Sequence, residues 1–326
     1  MNKDGVSVVV CCYNSEAIIR NTMEHLYAQH KANDVSVEII LVDNNSSDRT
    51  VAVAEEVAKT QNNKFPLRVV TEKEQGLSFA RIRGIYESQY DYVLFCDDDN
   101  WLEENYITTA YSILSSNDEI GVLGGRGDAV SNISLPYWFY SYNNYYAVGV
   151  QDLFSGDVSY KGYVWGAGFM IKKQIAIQFL NNGFSFYCTG RKGDDLLAGE
   201  DAEICKWYLL AGKKLWYDES LRFKHFIPEK RLTKTYFKSL EKGINASLPL
   251  LAIYNDVISD IKATSKMKKR VFIKLIFDIF WSKLFYRADL YKLRYKLQRA
   301  YPRNKKLVVN TMYYDIFNAY LSLTKK

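Results

Sequence analysis

The sequence has few cysteines, and their arrangement argues against a disulfide framework. The 326 residues include five cysteines, an odd number, and no two of them form a C-x-x-C pair. Cys11 and Cys12 are neighbours in a strand-like run. Stabilising disulfides are typical of secreted proteins, in which cysteines pair off. We therefore expect reduced thiols in a reducing compartment.

Long apolar runs are also missing. A membrane-spanning helix needs about 20 mainly apolar residues, and the most apolar stretch, residues 271–286, is interrupted by Lys274, Asp278 and Lys283. The opening residues, MNKDGVSVVV, leave no room for the regions of a signal peptide before strand-like sequence begins. We expect a chain that starts in the cytosol and has no spanning helix.

The glycine motifs of the common nucleotide-binding enzymes are absent as well. No G-x-G-x-x-G follows the first strand-like run, and no G-x-x-x-x-G-K-[ST] occurs anywhere. These motifs hold dinucleotides and triphosphates through closely approaching backbone. Their absence disfavours a dinucleotide oxidoreductase and a P-loop enzyme.

What is present is an alternation of strand and helix patterns. Apolar, β-branched runs predict buried strands over residues 6–13, 37–44, 67–72 and 91–97, with helical spacing between them. Units of about thirty residues predict an α/β fold with a mostly parallel sheet. Further along, the sequence predicts a strand and glycine-rich turn over 121–129, a strand over 164–173 and a helix over 199–212.

Polar side chains follow each predicted strand of the first half. They include Tyr13 and Asn14, residues 43–45, residues 72–75 and residues 97–100. In open α/β sheets, ligands bind at the carboxyl ends of the strands. We expect a binding site at this edge.

The stretch CDDDN, residues 96–100, is the strongest single feature of that edge. A strand ending in D-x-D places Asp97 and Asp99 on the same side of the extended backbone, because side chains alternate with period two. Two carboxylates on one side can share Mg²⁺ or Mn²⁺, which would offset their repulsion. The alternative is a solvated acidic turn before a helix that starts near Leu102. The apolar strand before the triplet favours the metal site.

Six stretches identify a family. Along residues 6–228 they occur in the order VSVVVCCYN, IILVDNNSSDRT, EQGLSFARIRGI, VLFCDDDNWL, WGAGFMI and GEDAEICKWYLLAGKKLWY. Together they resemble the inverting nucleotide-sugar glycosyltransferases of family 2, of the bacterial polysaccharide-biosynthesis type. The resemblance implies a GT-A fold, with a Rossmann-like nucleotide-binding half at 1–120 and an acceptor half at 121–228. Ile82 departs from the family pattern, which often has Asn there.

The resemblance also implies which residues bind the donor. Tyr13 and Asn14 would lie against the base and ribose, and Asp43 would accept a hydrogen bond from the base. Arg81 would help to hold the nucleotide end. The acidic triplet Asp97, Asp98 and Asp99 would bind the ribose, the metal ion and the diphosphate.

Two further assignments follow from the resemblance. In relatives a histidine near His225 completes the metal site with Asp97 and Asp99, although a histidine before Phe-Ile-Pro is equally typical of a structural role. Asp201 is selected as the catalytic base, with Glu200 as the other candidate. A first-turn carboxylate is favoured in its charged form by the helix dipole, so Glu200 and Asp201 could also be no more than first-turn charges.

The sequence thus predicts a metal-dependent glycosyltransferase that uses Mn²⁺ or Mg²⁺ and a UDP-sugar. The acceptor would be a hydroxyl of a glycan or polyprenyl-linked glycan, in capsule, O-antigen or exopolysaccharide synthesis. A nucleotidyltransferase is the nearest alternative, but the loop CCYNSEAII lacks the basic, glycine-rich character that triphosphate binding needs. A nucleic-acid-binding protein is another, and there the net acidity of the body argues against such a partner.

The charge is concentrated in the C-terminal region. Residues 262–306 carry 15 Lys or Arg and two Asp or Glu, although the whole chain has a net charge of only +6. We predict a basic, aromatic-rich helical region over 229–326. Between Lys266 and Arg299 its pattern is amphipathic, which suits the surface of an anionic membrane. We therefore expect a cytoplasmic protein, peripheral on the inner face of the plasma membrane. Alternatively, this apolar face packs on the catalytic domain or on a second subunit, giving a homo-oligomer.

Overall fold

The computed structural model describes residues 3–30, 35–62, 64–188, 190, 198–266, 312–313 and 315–321. The chain divides into two compact units, Met1–Leu248 and Pro249–Lys326. In the described part of the first unit, helices flank a nine-stranded sheet. This confirms the predicted α/β class.

Four parallel strands form the first half of the sheet. They are β1 (Val6–Cys12), β2 (Val37–Asp43), β3 (Leu67–Thr71) and β4 (Tyr92–Asp97), in the spatial order β3-β2-β1-β4. The helices between them are α1 (Ile19–Ala28), α2 (Thr50–Thr60) and α3 (Leu77–Glu87). Every residue of β1 is buried, as its β-branched run predicts for a strand covered on both faces. Gly84 allows α3 to pack closely against β1, since a Cβ on Gly84 would lie 2.3 Å from Val9 Cγ1.

The second half of the sheet has mixed pairing. Its elements and those after it are β5 (Asn100–Leu102), α4 (Tyr106–Ser116), β6 (Ile120–Val130), β7 (Gly156–Asp157), β8 (Met170–Lys172), α5 (Lys173–Asn181), α6 (Glu200–Leu210), β9 (Lys214–Phe226) and α7 (Lys234–Lys266). The order continues from β4 as β8-β6-β9-β5, with β7 on β9. Strands β6 and β9 are parallel, whereas β5, β7 and β8 pair antiparallel with their neighbours.

Two glycine-containing stretches differ from prediction. Residues 121–129 lie within one continuous strand, so the predicted glycine-rich turn is wrong. Glycine serves close packing there, because a Cβ on Gly125 would lie 2.2 Å from the Leu221 carbonyl oxygen. The strand predicted over 164–173 is confined to β8, since Gly168 has a φ of +70° and interrupts the extended backbone.

The start of α1 does not use the capping residues that precede it. Asn14 and Ser15 are residue types that often cap helices, but α1 begins at Ile19 and its start has no side-chain cap. The Ser15 hydroxyl donates instead to the Asp98 carboxylate. A residue expected to begin a helix therefore serves the strand-end site.

The segment after β9, up to Leu248, belongs to the first unit. Its side chains join an apolar cluster made of Phe139, Tyr146, Val148, Ile227, Leu232 and Leu240. The sequence placed the start of the C-terminal region at residue 229, whereas the first unit continues to Leu248. The next residue, Pro249, lies inside α7 and removes one helical hydrogen bond there. The division of 1–228 into two halves stays a prediction.

All five cysteines are free and buried. Burial raises the pKa of the Cys11 thiol to about 12, and likewise that of Cys205. Burial also raises the pKa of the Cys96 thiol. These side chains act as small apolar core residues.

The C-terminal part is described only in pieces. Helix α7 confirms a helical extension, but the amphipathic segment predicted between Lys266 and Arg299 lies outside the described residues beyond Lys266. Among the helices that are described, none is long and apolar enough to cross a membrane.

Candidate active site

The carboxyl ends of three parallel strands meet at one edge of the sheet. Cys12 of β1 pairs with Asp43 of β2, and Cys11 pairs with Asp97 of β4. The loops after β1, β2 and β4 therefore open side by side, as the sequence predicted. This is the edge at which α/β sheets bind ligands.

The loops after β1 and β2 hold one another. Asn14 has a φ of +51°, in the left-handed region that asparagine tolerates. Its Oδ1 accepts a hydrogen bond of 2.8 Å from the Ser47 N–H, and Asp43 Oδ1 accepts one of 3.2 Å from the Ser46 N–H. The ring of Tyr13 is 43% exposed. Asn14 and Asp43 thus shape the loop, and Tyr13 offers an open aromatic surface.

Asn44 lies at the predicted edge, but its role in fixing the neighbouring loop was not predicted. Its Nδ2 donates to the carbonyl oxygens of Glu72 at 3.1 Å and Glu74 at 2.7 Å, and its Oδ1 accepts from the Gly76 N–H at 2.8 Å. This buried amide fixes the loop after β3 and the start of α3. An asparagine directly after a strand was the available signal, since such side chains often replace backbone partners in turns.

The acidic turn, residues 97–99, does not have the predicted backbone. Strand β4 ends at Asp97, while Asp98 and Asp99 form a turn before β5. The period-two argument for Asp97 and Asp99 is therefore wrong, because alternation holds only within a strand. The two carboxylates meet different partners.

Asp98, the second residue of the acidic turn, contacts α1 and the segment before it. It accepts a hydrogen bond from the Ser15 hydroxyl, and Thr22 Oγ1 donates to its carbonyl oxygen at 2.7 Å. Burial, and then the charge of Asp99, raise the pKa of Asp98 to about 7. A raised pKa favours the neutral form of this carboxyl, and that form reduces the repulsion within the triplet.

Asp99 has a cationic partner that the sequence did not reveal. Its Oδ2 lies 2.7 Å from Nη1 of Arg231, and its Oδ1 lies 3.3 Å from Nε2 of His225. Asn100 Nδ2 donates to the same Oδ1 at 3.1 Å. The fold therefore keeps Asp99 buried by surrounding it with donors. Lys230 is also basic and precedes Arg231, so sequence alone could not have selected the partner.

Arg81 joins Asp97 to helix α6. Its side chain is 2% exposed, with Nη2 3.6 Å from Asp97 Oδ1 and Nη1 3.3 Å from Glu200 Oε1. The guanidinium lies near the rings of Phe95 and Phe169, with centroids at 5.6 and 5.4 Å. Burial lowers the pKa of Arg81, but the charges of Glu200 and Asp97 outweigh it and raise the pKa overall. Arg81 is thus a buried link between the two predicted catalytic regions.

The acidic residues at the start of α6 have separate environments. Asp201 is only partly buried, and its Oδ2 accepts a hydrogen bond of 2.9 Å from the Gly166 N–H. Its Oδ1 accepts one of 2.7 Å from the Ala202 N–H. Glu203 is fully buried and accepts from the Cys188 N–H at 2.7 Å, which is a structural role. Of the three acids in this first turn, Asp201 is the one fixed by backbone N–H groups while still reaching solvent.

Gly166, in the WGAG stretch, is needed for this arrangement. A Cβ there would lie 2.7 Å from Arg81 Nη2 and 2.8 Å from Asp201 Cβ. Any larger residue would push Arg81 and Asp201 apart. The glycine therefore couples the donor-side arginine to the candidate base.

The predicted metal ligands are Asp97, Asp99 and His225. Across the described parts of the chain, no three His, Cys, Asp or Glu side chains converge so as to hold a metal ion. The donor set nevertheless fits a divalent cation in kind, because carboxylate oxygens suit Mg²⁺ and Mn²⁺ and imidazole is a common metal ligand. His225 Nδ1 is a buried nitrogen without a hydrogen-bond partner among the described residues.

Comparison with known proteins decides the family. The sequence profile described as glycosyl transferase family 2 matches residues 7–188. The chain belongs to glycosyl transferase family 2. The matched range contains the acidic turn and Arg81 but ends before Asp201 and His225, so these two assignments depend on the motif order and the contacts described above.

Relatives in sequence carry glycosyltransferase names. The family 2 chain is 36% identical over 106 residues to the glycosyltransferase EpsH of Bacillus subtilis, a match that covers 32% of this chain and 29% of EpsH. It is 26% identical over 240 residues to the glucosyl-dolichyl phosphate glucuronosyltransferase of Haloferax volcanii, covering 69% of this chain and 70% of that protein. The chain thus matches less than a third of the length of EpsH.

Solved structures share the fold. TarS 1-349 of S. aureus in complex with UDP-GlcNAc has a TM-score of 0.53 at 16% identity, over 77% of this chain and 66% of TarS 1-349. GalNAc-T7 with UDP, GalNAc and Mn²⁺ also gives 0.53 at 16% identity, over 74% of this chain and 48% of its own. This family 2 chain therefore has the expected GT-A fold.

Proposed function

We propose that this family 2 glycosyltransferase moves a sugar from a UDP-sugar to a hydroxyl of a glycan or polyprenyl-linked glycan, with inversion. The observation that carries the proposal is the buried Arg81, which ties Asp97 at the end of β4 to Glu200 at the start of α6. The acidic turn and the candidate base Asp201 therefore belong to one site. Capsule, O-antigen or exopolysaccharide synthesis would use such a reaction.

Asp201 supplies the base in this mechanism. An acceptor oxygen attacks the anomeric carbon as the bond from that carbon to the diphosphate oxygen breaks, and the diphosphate leaves with the bonding electron pair. Asp201 takes the proton of the attacking hydroxyl. Asp201 stands in the first turn of α6. The backbone N–H groups of Gly166 and Ala202 orient the carboxylate.

The donor side relies on the acidic turn. Asp97, Asp99 and His225 would hold Mn²⁺ or Mg²⁺, which when bound stabilises negative charge on the leaving diphosphate. Tyr13, 43% exposed, supplies a flat surface for the base. TarS with UDP-GlcNAc and GalNAc-T7 with UDP and Mn²⁺ are relatives in fold that bind such ligands, which supports UDP as the nucleotide.

Metal-dependent nucleotide binding tests the donor side. In isothermal titration calorimetry, we expect UDP to bind the full-length protein at least about tenfold more tightly with Mn²⁺ than with EDTA. Asp99→Ala should remove this enhancement, because a proposed metal ligand is lost, and should lower turnover of the donor sugar by orders of magnitude. The control is Asp128→Ala, which removes a surface carboxylate paired with Arg222. Equal UDP affinity with and without Mn²⁺ in the wild type would refute the metal assignment.

We further propose that the protein works at the cytoplasmic membrane surface. The basic, amphipathic residues 266–299 are the sequence feature that supports this. The full-length protein should co-sediment with anionic vesicles at low salt and dissociate as salt rises, because screening weakens the attraction. A full-length variant with Arg287, Lys292, Arg294 and Lys296 changed to Gln should stay in the supernatant. If both proteins stayed in the supernatant, residues 266–299 would instead pack on the catalytic domain or on a second subunit.

A further inference from the structure

We propose that Arg231 is the resident counter-cation of Asp99 and competes with a divalent metal ion for that carboxylate, so that Arg231 sets the metal affinity of the acidic turn. The inference rests on the proposed function, in which Asp99 is a metal ligand. It adds a positioning residue outside the stretches that carry the family resemblance.

Asp99 is buried too deeply to lack positive charge nearby. Its side chain is 5% exposed, and Arg231 Nη1 lies 2.7 Å from Oδ2. A carboxylate that has lost its hydration needs a compensating cation. A bound divalent ion would supply the same compensation at the same oxygens. A metal ion and the guanidinium at one carboxylate repel each other, so binding of the metal weakens the pair between Arg231 and Asp99.

Among the described residues, two arginines pair with the acidic turn, and Arg231 is the one able to move away. Arg81 is 2% exposed, belongs to helix α3 and is held on its other side by Glu200. The Arg231 side chain is 21% exposed and belongs to a three-residue turn, Glu229–Arg231. A partly exposed side chain on a short turn can rotate into solvent more readily than a buried one on a helix.

The backbone of Arg231 stays fixed during such a rotation. Its N–H donates to the Pro228 carbonyl oxygen at 2.8 Å, and the Tyr146 hydroxyl donates to its own carbonyl oxygen at 3.0 Å. The exchange therefore involves only the side chain. It needs no movement of β9 or of the apolar cluster around Tyr146.

The exchange has a thermodynamic consequence. When the binding-competent state is only a fraction of the population, the apparent affinity falls by that fraction. The pair between Arg231 and Asp99 reduces the fraction in which Asp99 is free, and it also places a like charge beside the incoming cation. Arg231 thus keeps the affinity for the ion alone low.

Mn²⁺ binding to the full-length protein without nucleotide tests the proposal. After treatment with EDTA and its removal, free Mn²⁺ is measured by electron paramagnetic resonance during titration. Arg231→Gln should bind Mn²⁺ about three- to tenfold more tightly than the wild type, because both the competition and the repulsion are removed. Arg231→Lys should remain near the wild type, because it keeps the charge. Arg222→Gln is the matched control, since Arg222 lies on β9, is 44% exposed and pairs with Asp128; its Mn²⁺ affinity should not change.

Thermal unfolding in EDTA gives a second measurement. Arg231→Gln should melt at a lower temperature than Arg222→Gln, because Asp99 is then buried without its arginine, and Mn²⁺ should recover more of the loss. If Arg231→Gln bound Mn²⁺ no more tightly than the wild type, the inference would be overturned while the proposed function stood. If Arg231→Gln left the Mn²⁺ affinity unchanged but weakened UDP binding, Arg231 would instead be a residue that binds the nucleotide of the donor. A wild type that binds no Mn²⁺ with or without UDP would overturn the metal assignment itself.

Discussion

Asp201→Asn should lower metal-dependent turnover of the donor sugar by at least about a hundredfold, the contribution typical of a lost general base. The amide cannot take the proton of the attacking hydroxyl at neutral pH. Binding of UDP should remain within about twofold of the wild type, because Asp201 lies at the start of α6 and not in the acidic turn. Turnover is measured as Mn²⁺-dependent release of UDP, with water or added glycans as acceptor, and UDP affinity by calorimetry.

The matched control for this variant is Asp118→Asn. Asp118 pairs with Lys172 at 2.9 Å and its side chain is fully exposed, so the same chemical change is made away from the site. In Asp201→Asn, the new side-chain amide can keep one of the two hydrogen bonds from backbone N–H groups and loses the other. This loss should lower the free energy of unfolding by about 1 kcal/mol. Near-native turnover of Asp201→Asn would mean that the base lies elsewhere, and Glu200 would be examined next.

Arg81→Met should lower the free energy of unfolding by about 3–5 kcal/mol, the range for breaking one side of a buried ion pair. Methionine keeps most of the packing against Phe95 and Phe169 but removes the charge. Glu200, a buried residue, would then lose its ion pair with Arg81. Urea denaturation of the full-length protein, followed by circular dichroism, measures the change.

Arg83→Met is the control on the same helix. Arg83 pairs with Glu87 at 2.9 Å and is 43% exposed, so its loss should matter by no more than about 1 kcal/mol. Adding Glu200→Gln to Arg81→Met should recover part of the loss, because the buried charge that had paired with Arg81 is removed. Equal small losses for the two methionine variants would show that Arg81 carries no special stabilising role.

The parallel half of the sheet was predictable because its signal is local. Strands β1, β2, β3 and β4 were predicted to within one residue at their ends, since buried parallel strands are nearly continuous β-branched runs. The meeting of Tyr13, Asp43 and Asp97 at one edge followed from parallel order alone. Asp201 and Glu200 were named through motif order, and the structure brings Glu200 to Arg81.

The features that the sequence did not predict depend on contacts between residues far apart in the chain. The pair of Asp99 and Arg231 forms only because a turn after β9 returns the chain to the acidic turn, and no local pattern marks which basic residue arrives there. The same applies to β6, where glycines that usually signal a turn permit close approach of β9 and keep the strand extended. Local propensity is overridden where packing offers a better use for the residue.

Because all five cysteines are buried, the surface of the folded protein should not react with thiol reagents. Alkylation requires the thiolate, and burial raises the pKa of Cys11 and Cys205 to about 12 and keeps every native thiol away from solvent. A cysteine introduced at an exposed site such as Tyr137, 93% exposed, would therefore accept a fluorophore or spin label alone, without removal of the native cysteines. The same native thiols would react once the chain opened, so labelling kinetics on unmodified protein would report unfolding directly.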